Sequence, residues 1–312
     1  MRLIVALKQV PDTSAALRVL PGALEPHAPG VPPVVNPFDE FALEAALRLR
    51  ERGRDGEVVL LTLAAGPVEE SVFHGLAMGA DRAIVLRLPR GASPDALATG
   101  ELLAAAAAEL SFDAIFCGER AVDDDAAQVG PTLAERLGLP FIGGAEEVLA
   151  REAWAGGARA GEMGSGEARA EGARAEEVLA REARAEGARA GEAGPGEARA
   201  EGARAEGQGR LLHARCRRGE SAAILRAELP CVVSFVRGPE LPRYASLDGI
   251  FSAGGKPVEY RDVPFDAAAN RTLRVALAPA FEERAGETVP GAPAEVAVDW
   301  LVERIASRAL IA

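Results

Sequence analysis

One segment near the middle of the sequence constrains the fold more than any other. Residues 114–117 form a short apolar run typical of a buried strand, residues 118–128 are mostly small and polar, and Val129, Leu133 and Leu137 then recur on one helical face. This order predicts an α/β sheet in which a helix begins beside the carboxyl end of a strand. The start of such a helix offers backbone N–H groups and a favourable dipole, so we expect an anionic, phosphate-bearing ligand there.

Strand-like and helix-like segments alternate before that point as well. Apolar runs at 3–7, 58–63 and 83–88 are separated by segments with helical periodicity. The alternation predicts an α/β fold with a Rossmann-like, mostly parallel sheet and helices on both faces. Hydrophobic residues make up 48 % of the chain but aromatic residues only 4 %, so we expect an aliphatic core.

Local signals mark the helices. We expect Asn36 to cap the first helix, with Pro37 at its first position, because these residue types are common at helix starts. In the second helix we expect Val72, Phe73 and Leu76 to face the core.

The regular pattern ends at a tandem duplication. Residues 145–174 and 175–204 are identical at 26 of 30 positions and consist almost entirely of Ala, Glu, Arg and Gly. Because frequent glycines oppose a helix and large apolar residues are scarce, we predict a low-complexity insertion over 145–208 that is disordered or partly helical. Short helical pieces are expected near 146–153 and 176–183.

Beyond the insertion, residues 210–216 and 222–229 predict two antiparallel strands, and 231–235 predict a returning core strand. An irregular region from 241 leads to an amphipathic C-terminal segment, 293–309. The predicted organisation is therefore a core over 1–144, the insertion over 145–208, a hairpin and core strand over 209–240, and a loop with a C-terminal arm over 241–312.

Charge and composition exclude several function classes. The net charge of −12 argues against a nucleic-acid partner, which needs clustered Lys and Arg. The three cysteines show no metal-binding spacing, and no apolar stretch is long enough to span a membrane, so we expect a cytoplasmic protein without a metal site. No acid, base or nucleophile motif stands out, and we expect no catalytic residue.

Five motifs in order resemble the β subunit of the electron transfer flavoproteins, with its FAD/AMP-binding, adenine nucleotide alpha-hydrolase-like fold. They are Lys8–Thr13, Asn36–Leu49, Gly75–Arg82, Gly118–Pro140 and Pro242–Ile250. The likeness covers nearly the whole chain except 145–208 and is loose after about residue 256. It implies an electron carrier rather than an enzyme, paired with an α subunit that holds most of an FAD.

The resemblance also implies cofactors and partners. This subunit would bind AMP or, in electron-bifurcating members, a second FAD. It would accept electrons from acyl-CoA or other flavin dehydrogenases and pass them to a quinone reductase-type acceptor. Asp124 stands where bifurcating members usually have Gly, although other residues are closer to those members, so AMP and FAD both stay open.

The residues that would bind the nucleotide follow from the matching motifs. They are Ala6, Asn36, Pro37, Phe38, Asp39, Ala65, Arg120, Ala121, Val122, Asp123, Asp124, Asp125, Ala126, Ala127, Gln128, Val129, Gly130 and Pro131. Small side chains at 6 and 65 leave room for a ligand, Arg120 suits a phosphate, and the three aspartates suit backbone N–H groups, a ribose or an adenine amine.

The resemblance assigns partner recognition to Arg243, Tyr244 and Leu247. Because a tail containing Trp300 follows a closed core, we also expect the C-terminal arm to bind the partner subunit. Only Lys256 follows this loop, where many family members have several lysines, which leaves the electrostatic part of docking open. The alternative function is a stand-alone adenine-nucleotide-binding module of the stress-protein or adenylating type. It would share the sheet but would not explain the 242–250 loop.

Overall fold

The computed structural model describes residues 1–14, 30–53, 56–151, 210–218 and 221–272, together with Val298 and Val302. The chain divides into two compact units, one of residues 1–17 and 28–273 and the other of residues 18–27 and 274–312. All elements described below belong to the first unit. The predicted C-terminal helix, apart from Val298 and Val302, and the insertion beyond residue 151 lie outside the described residues.

A nine-stranded sheet forms the centre of this unit, in the order β11-β5-β4-β1-β6-β10-β7-β8-β9. The strands from β11 to β7 run parallel, whereas β8 is antiparallel to both β7 and β9. The strands are β1 (Arg2–Ala6), β4 (Glu57–Ala64), β5 (Arg82–Arg87), β6 (Ala114–Gly118), β7 (Phe141–Arg151), β8 (Leu211–Arg218), β9 (Ser221–Glu228), β10 (Cys231–Phe235) and β11 (Val258–Asp262).

Helices cover both faces of the sheet. They are α1 (Pro37–Arg52), α2 (Glu69–Met78), α3 (Ala96–Ala108), α4 (Val129–Leu137) and the short α5 (Leu247–Ala253), followed by a 3-10 turn, Ala267–Ala269. Buried residues of α1, α2 and α5 share one apolar cluster with Phe116 and Phe235, whereas α3 and α4 share a second cluster with Ile4 and Ile115. The predicted Rossmann-like α/β architecture is therefore confirmed.

Most predicted elements lie within two residues of the observed ones, but two expectations are wrong. Phe73 is 41 % exposed, because α2 turns Val72 and Leu76 to the core and leaves Phe73 on its outer side. Residues 146–151, expected to be helical, continue strand β7 and pair with β8 from Ala145–Cys216 to Arg151–Leu211. Ala and Glu favour a helix, but propensity is a weak prior, and pairing with the neighbouring strand β8 outweighs it here.

Two features were not predicted. A small antiparallel ribbon joins β2 (Gln9–Pro11) and β3 (Pro33–Val35), and β11 adds a parallel strand beside β5. Within the described part of the chain, no helix has the length and apolar character needed to cross a membrane.

Candidate functional site

The sheet reverses its order of connection between β1 and β6. From β1 the chain proceeds to β4 and β5 on one side, and it then returns to β6 on the other side of β1. Open α/β sheets bind ligands at the carboxyl ends of the strands at such a switch point. Lys8, the start of α1 and the loop of residues 119–128 meet there.

Asn36 fastens the start of α1 to that loop. It is 1 % exposed; its side-chain Nδ2 donates to the carbonyl of Arg120 at 2.9 Å, and its Oδ1 accepts from the N–H of Val122 at 3.3 Å. Asn36 occupies the N-cap position of α1, but its side chain makes no capping hydrogen bond. The predicted N-cap position is confirmed, but the side-chain amide holds the loop after β6 instead of bonding to the first turn of α1.

Asp39 joins the ends of the two central strands. One carboxylate oxygen accepts from the N–H of Lys8 at 2.7 Å, and the other accepts from the N–H of Gly118 at 2.8 Å. Burial raises the pKa of Asp39 to about 7, although the two N–H donors act in the opposite direction. A Cβ on Gly118 would lie 2.5 Å from Asp39 Oδ1 and 2.7 Å from Phe38 Cβ, so only glycine fits this close approach.

The aspartates of the β6–α4 loop pair with cations beside the carboxyl ends of β1 and β6, a place here called the mouth of the site. Asp123 and Asp124 accept from Lys8 Nζ at 2.7 Å and 2.9 Å, and Asp124 also accepts from the N–H of Ala126 at 3.1 Å. Burial alone would lower the pKa of Lys8, but its hydrogen bonds to Asp123 and Asp124 outweigh that effect and raise it. Lys8 therefore bridges β1 to the β6–α4 loop as a permanent cation.

Arg120 lies at the same mouth. Its guanidinium pairs with Asp125 at 3.2 Å, and its Cζ lies 5.5 Å from the ring centroid of Phe38. A cation over an aromatic face is held by the ring quadrupole, so Arg120 has a defined position beside the predicted ligand.

The loop before α4 contains unusual backbone. Asp125 and Ala127 have φ values of +50° and +53°, in the left-handed region that is disfavoured for residues with a Cβ. Strain of this kind costs about 1–3 kcal/mol per residue and is concentrated at functional sites. Gln128 is the N-cap residue of α4, and its side chain makes no capping bond to the first turn of that helix.

The small residues of the site have different surroundings. Ala6 is buried at the end of β1, and Ala65 is half-buried just after β4, so both lie at carboxyl ends of parallel strands as expected. Gly130 has a packing reason for its size, because a Cβ there would lie 2.9 Å from Phe141 Cε2 and 3.2 Å from Cys117 Sγ.

Comparison with known proteins identifies the family. Residues 29–155 match the electron transfer flavoprotein domain. The chain is 41 % identical over 155 residues to the electron transfer flavoprotein subunit beta of Megasphaera elsdenii, covering 47 % of this chain and 57 % of that protein. It is 29 % identical over 320 aligned positions to the subunit beta of Thermoanaerobacterium thermosaccharolyticum, covering both chains fully. Residues 29–155 therefore contain an electron transfer flavoprotein domain, and the whole chain is similar to subunit beta of that family at lower identity.

A further relative is the acryloyl-CoA reductase electron transfer subunit gamma of Anaerotignum propionicum, at 38 % identity over 145 residues, or 46 % of this chain and 54 % of that protein. The chain thus spans about half the length of several curated relatives that it matches.

The site adjoins an arginine-lined cleft of about 540 Å³. Glu146, in β7, is buried in its wall and pairs with Arg215 at 3.2 Å and Arg217 at 2.7 Å. The cleft is lined by Phe38, Glu119, Arg120, Gly144, Glu146, Arg215, Arg217, Val236, Arg237, Gly238 and Pro239. Four arginines against two glutamates make it basic, although the whole chain is acidic.

The three residues expected to recognise a partner do not face the same way. Tyr244 and Leu247 are 96 % and 73 % exposed, whereas Arg243 is directed towards α1 and pairs with Glu44 and Glu51. Phe251, which sequence reasoning missed, is 83 % exposed one helical turn after Leu247. The spacing of four residues between Leu247 and Phe251 on α5 was the signal available.

Among the described residues, no group of three or more His, Cys, Asp or Glu side chains is arranged to hold a metal ion. Cys117, Cys216 and Cys231 are buried and unbridged, and burial raises the pKa of Cys231 to about 12.

Proposed function

We propose that this chain is the β subunit of a heterodimeric electron transfer flavoprotein, that it binds an adenine nucleotide at the β1–β6 switch point, and that it accepts electrons from flavin dehydrogenases. The observation that carries the proposal is the loop built around the start of α4. Three buried or paired side chains, Asn36, Asp39 and Lys8, fix that loop at the place where α/β sheets bind nucleotides.

The donor set fits a phosphate. The amides of Val129 and Gly130 lie at the positive end of the α4 dipole, and Pro131 has no N–H to leave unsatisfied. Arg120 supplies a cation at the mouth, held by Asp125 and Phe38. In the proposal these groups bind the phosphate, while Ala6 and Ala65 leave space for the nucleoside at the ends of β1 and β4.

The carboxylates of the β6–α4 loop suit the ribose and adenine end of an adenylate. Asp123 is exposed and accepts from Lys8, so it keeps lone pairs for a ribose hydroxyl or an adenine amine. Because a phosphate near Lys8 would compete with Asp123 and Asp124 for its ammonium, nucleotide binding is expected to loosen this bridge. Exposed salt bridges contribute only about 0–1 kcal/mol to stability, so exchanging the carboxylates of Asp123 and Asp124 for a phosphate costs little free energy.

The arginine-lined cleft is relevant to whether this subunit binds AMP or a second FAD. A second FAD would extend beyond the adenylate and carry a further phosphate and a flat ring system, and the cleft next to Arg120 offers Arg237 as well as Arg217. Asp124, whose side chain could crowd a bound flavin, is paired with Lys8 at 2.9 Å. We therefore keep AMP or a second FAD as the two forms of the proposal.

The redox chemistry belongs to the flavin, which takes up electrons and passes them on. This chain's own residues bind the nucleotide, exclude water and present a docking surface. The printed names of the relatives support a carrier role, since one is an electron transfer subunit of acryloyl-CoA reductase. In the proposal an acyl-CoA or other flavin dehydrogenase docks at Tyr244 and Leu247, and a quinone reductase-type protein accepts the electrons.

Co-expression with an electron transfer flavoprotein α subunit tests this function. The expected product is a yellow 1:1 heterodimer that a reduced acyl-CoA dehydrogenase can reduce. A colourless monomer that binds ATP by itself would contradict the proposal and favour the stand-alone nucleotide-binding module.

A further inference from the structure

Residues 240–256, here called the docking loop, are fastened to helices on one face of the sheet. The loop contains the exposed Tyr244, Leu247 and Phe251, and its other side rests on α1 and α2. The fastening is made by polar groups at the two ends of the loop and by a close backbone approach in its middle.

Arg243 makes the first attachment. Its Nε donates to Glu44 Oε2 at 2.8 Å, its NH2 group donates to Glu44 Oε1 at 3.1 Å and Glu51 Oε2 at 3.0 Å, and its NH1 group donates to Glu51 Oε1 at 2.5 Å. A guanidinium has five N–H groups, so these contacts use four of them. The backbone N–H of Arg243 also donates to Glu44 Oε2 at 3.1 Å.

Glu44 is the centre of the attachment. Its side chain is buried and also accepts from Arg48, whose NH1 group pairs with Glu240 at 2.5 Å at the beginning of the loop. Burial alone would raise the pKa of Glu44, but the hydrogen bonds from Arg243 and Arg48 outweigh it and lower that pKa. Glu44 is therefore ionised at neutral pH, and removing Arg243 would leave a buried charge short of donors.

The rest of the loop is held against α2. A Cβ on Gly249 would lie 2.3 Å from the carbonyl oxygen of Ala77, so the backbone of α5 closely approaches the last turn of α2 at this point. Lys256 Nζ donates to the carbonyls of Leu76 and Ala80, at 2.7 Å each, where α2 ends. A cation at a helix C-terminus satisfies carbonyls that have no partner within the helix.

We propose that Arg243 is a positioning residue, which holds the docking loop on α1 through Glu44 and Glu51 so that Leu247 and Phe251 are presented to the partner in a fixed geometry. Arg243 itself makes no essential contact with that partner. This inference rests on the proposed function, because it concerns the same docking surface. Because the loop is already ordered in the free protein, binding the partner does not incur the entropic cost of ordering it.

The test uses the full heterodimer and four variants. Arg243→Gln removes the attachment, Glu51→Gln weakens it from the α1 side, Leu247→Ala removes an exposed contact, and Arg87→Gln is the matched control because it breaks an exposed pair with Asp262 on another strand. Two quantities are measured: hydrogen exchange of amides 244–252, and the Kd and electron-transfer rate with a substrate-reduced acyl-CoA dehydrogenase.

We expect Arg243→Gln to speed exchange in the loop at least tenfold and to weaken docking at least fivefold, with nucleotide content unchanged. Glu51→Gln should do both to a smaller extent. Leu247→Ala should weaken docking without changing exchange, and Arg87→Gln should change neither. In the double variant, Arg243→Gln should add little to Leu247→Ala, because it acts through the loop that presents Leu247.

Two outcomes overturn the inference. If Arg243→Gln weakens docking while exchange in the loop stays slow, Arg243 contacts the partner directly. If exchange rises but docking is unchanged, the attachment does not position the docking surface. Should Arg243→Gln fail to fold, Glu51→Gln gives the same two readings. A wild-type heterodimer that no flavin dehydrogenase reduces would instead refute the proposed function, and the exchange data would still report on the attachment.

Discussion

The side-chain amide of Asn36 donates to the backbone carbonyl of Arg120 at 2.9 Å, beside the carboxyl ends of β1 and β6. Residues 84 positions apart are thereby joined at the mouth of the proposed nucleotide site. The same side chain accepts from Val122, so one buried amide sets the position of the loop on which Arg120 and the three aspartates lie.

Replacing Asn36 with Ala should both destabilise the protein and reduce bound nucleotide. Two part-buried hydrogen bonds to the backbone of Arg120 and Val122 would be lost, each contributing about 0.5–1.5 kcal/mol. The matched control is Asn270→Ala, because Asn270 also bonds two backbone groups, the N–H of Asp95 and the carbonyl of Ser93, away from the site. Urea unfolding and chromatography of the released nucleotide measure the two effects. Equal nucleotide content in both variants would contradict a special role for Asn36.

Gly118→Ala should disturb the site more than any other single methyl group. Its Cβ would meet Asp39 and the backbone carbonyl carbon of Phe38, at 2.5 Å and 3.0 Å, so the start of α1 would have to move. We expect a loss of about 1–3 kcal/mol in unfolding free energy, typical of overpacking. Gly66→Ala is the control, since a Cβ there meets nothing within 4 Å. A neutral Gly118→Ala would show that α1 and β6 are not in close contact.

The strand pairing predicts how the insertion can be removed. Arg151 and Leu211 are the last paired residues of the β7–β8 hairpin. Replacing residues 152–210 with Asn-Gly, which favours a two-residue hairpin turn, should keep the pairing. The free energy of unfolding, measured by heat and by urea, should change by less than about 1 kcal/mol. The amount of bound nucleotide should not change. Loss of nucleotide would show that the insertion contributes to the site.

Asp39 should make stability depend on pH in a defined direction. Its pKa is about 7 in the folded protein and about 3.9 in an unfolded chain. Between these values the folded state binds more protons, so this residue's contribution to stability is present at low pH and is lost as pH rises towards 7, by up to about 4 kcal/mol.

Asp39→Asn removes that titration. The stability of the variant relative to the wild type should therefore rise between pH 4 and pH 8, as measured by urea unfolding at each pH. Carboxylates whose pKa is lowered, such as Glu44, titrate in both proteins and cancel in the difference. A difference that does not vary with pH would mean that the N–H groups of Lys8 and Gly118 keep Asp39 ionised throughout.

Elements with strong local signals were predictable from the sequence. The sequence from Asn36-Pro37 to Gly53 contains both ends of α1, and the alternation of strands and helices places the β6–α4 loop at the edge of a parallel sheet. By contrast, β11 contains no apolar run, since Glu259, Arg261 and Asp262 are charged, and it forms by pairing with β5, far away in the sequence.

The side-chain roles depend on contacts that no local pattern reveals. Asn36 was expected to cap its own helix, but its partners are Arg120 and Val122. The family resemblance assigned Arg243 to partner recognition, whereas in the structure it pairs with Glu44 and Glu51, which lie 199 and 192 positions earlier. The position of a site follows from topology, but the choice of partner for each polar group requires the folded structure.

The most direct test of the central claim is to denature the purified heterodimer and separate its nucleotides by chromatography. The account predicts one FAD together with one further adenine nucleotide, AMP or a second FAD, for each pair of chains, and predicts that Asn36→Ala lowers only the further nucleotide when it is AMP. A heterodimer that releases no adenine nucleotide beyond a single FAD would contradict a nucleotide site at the β1–β6 switch point.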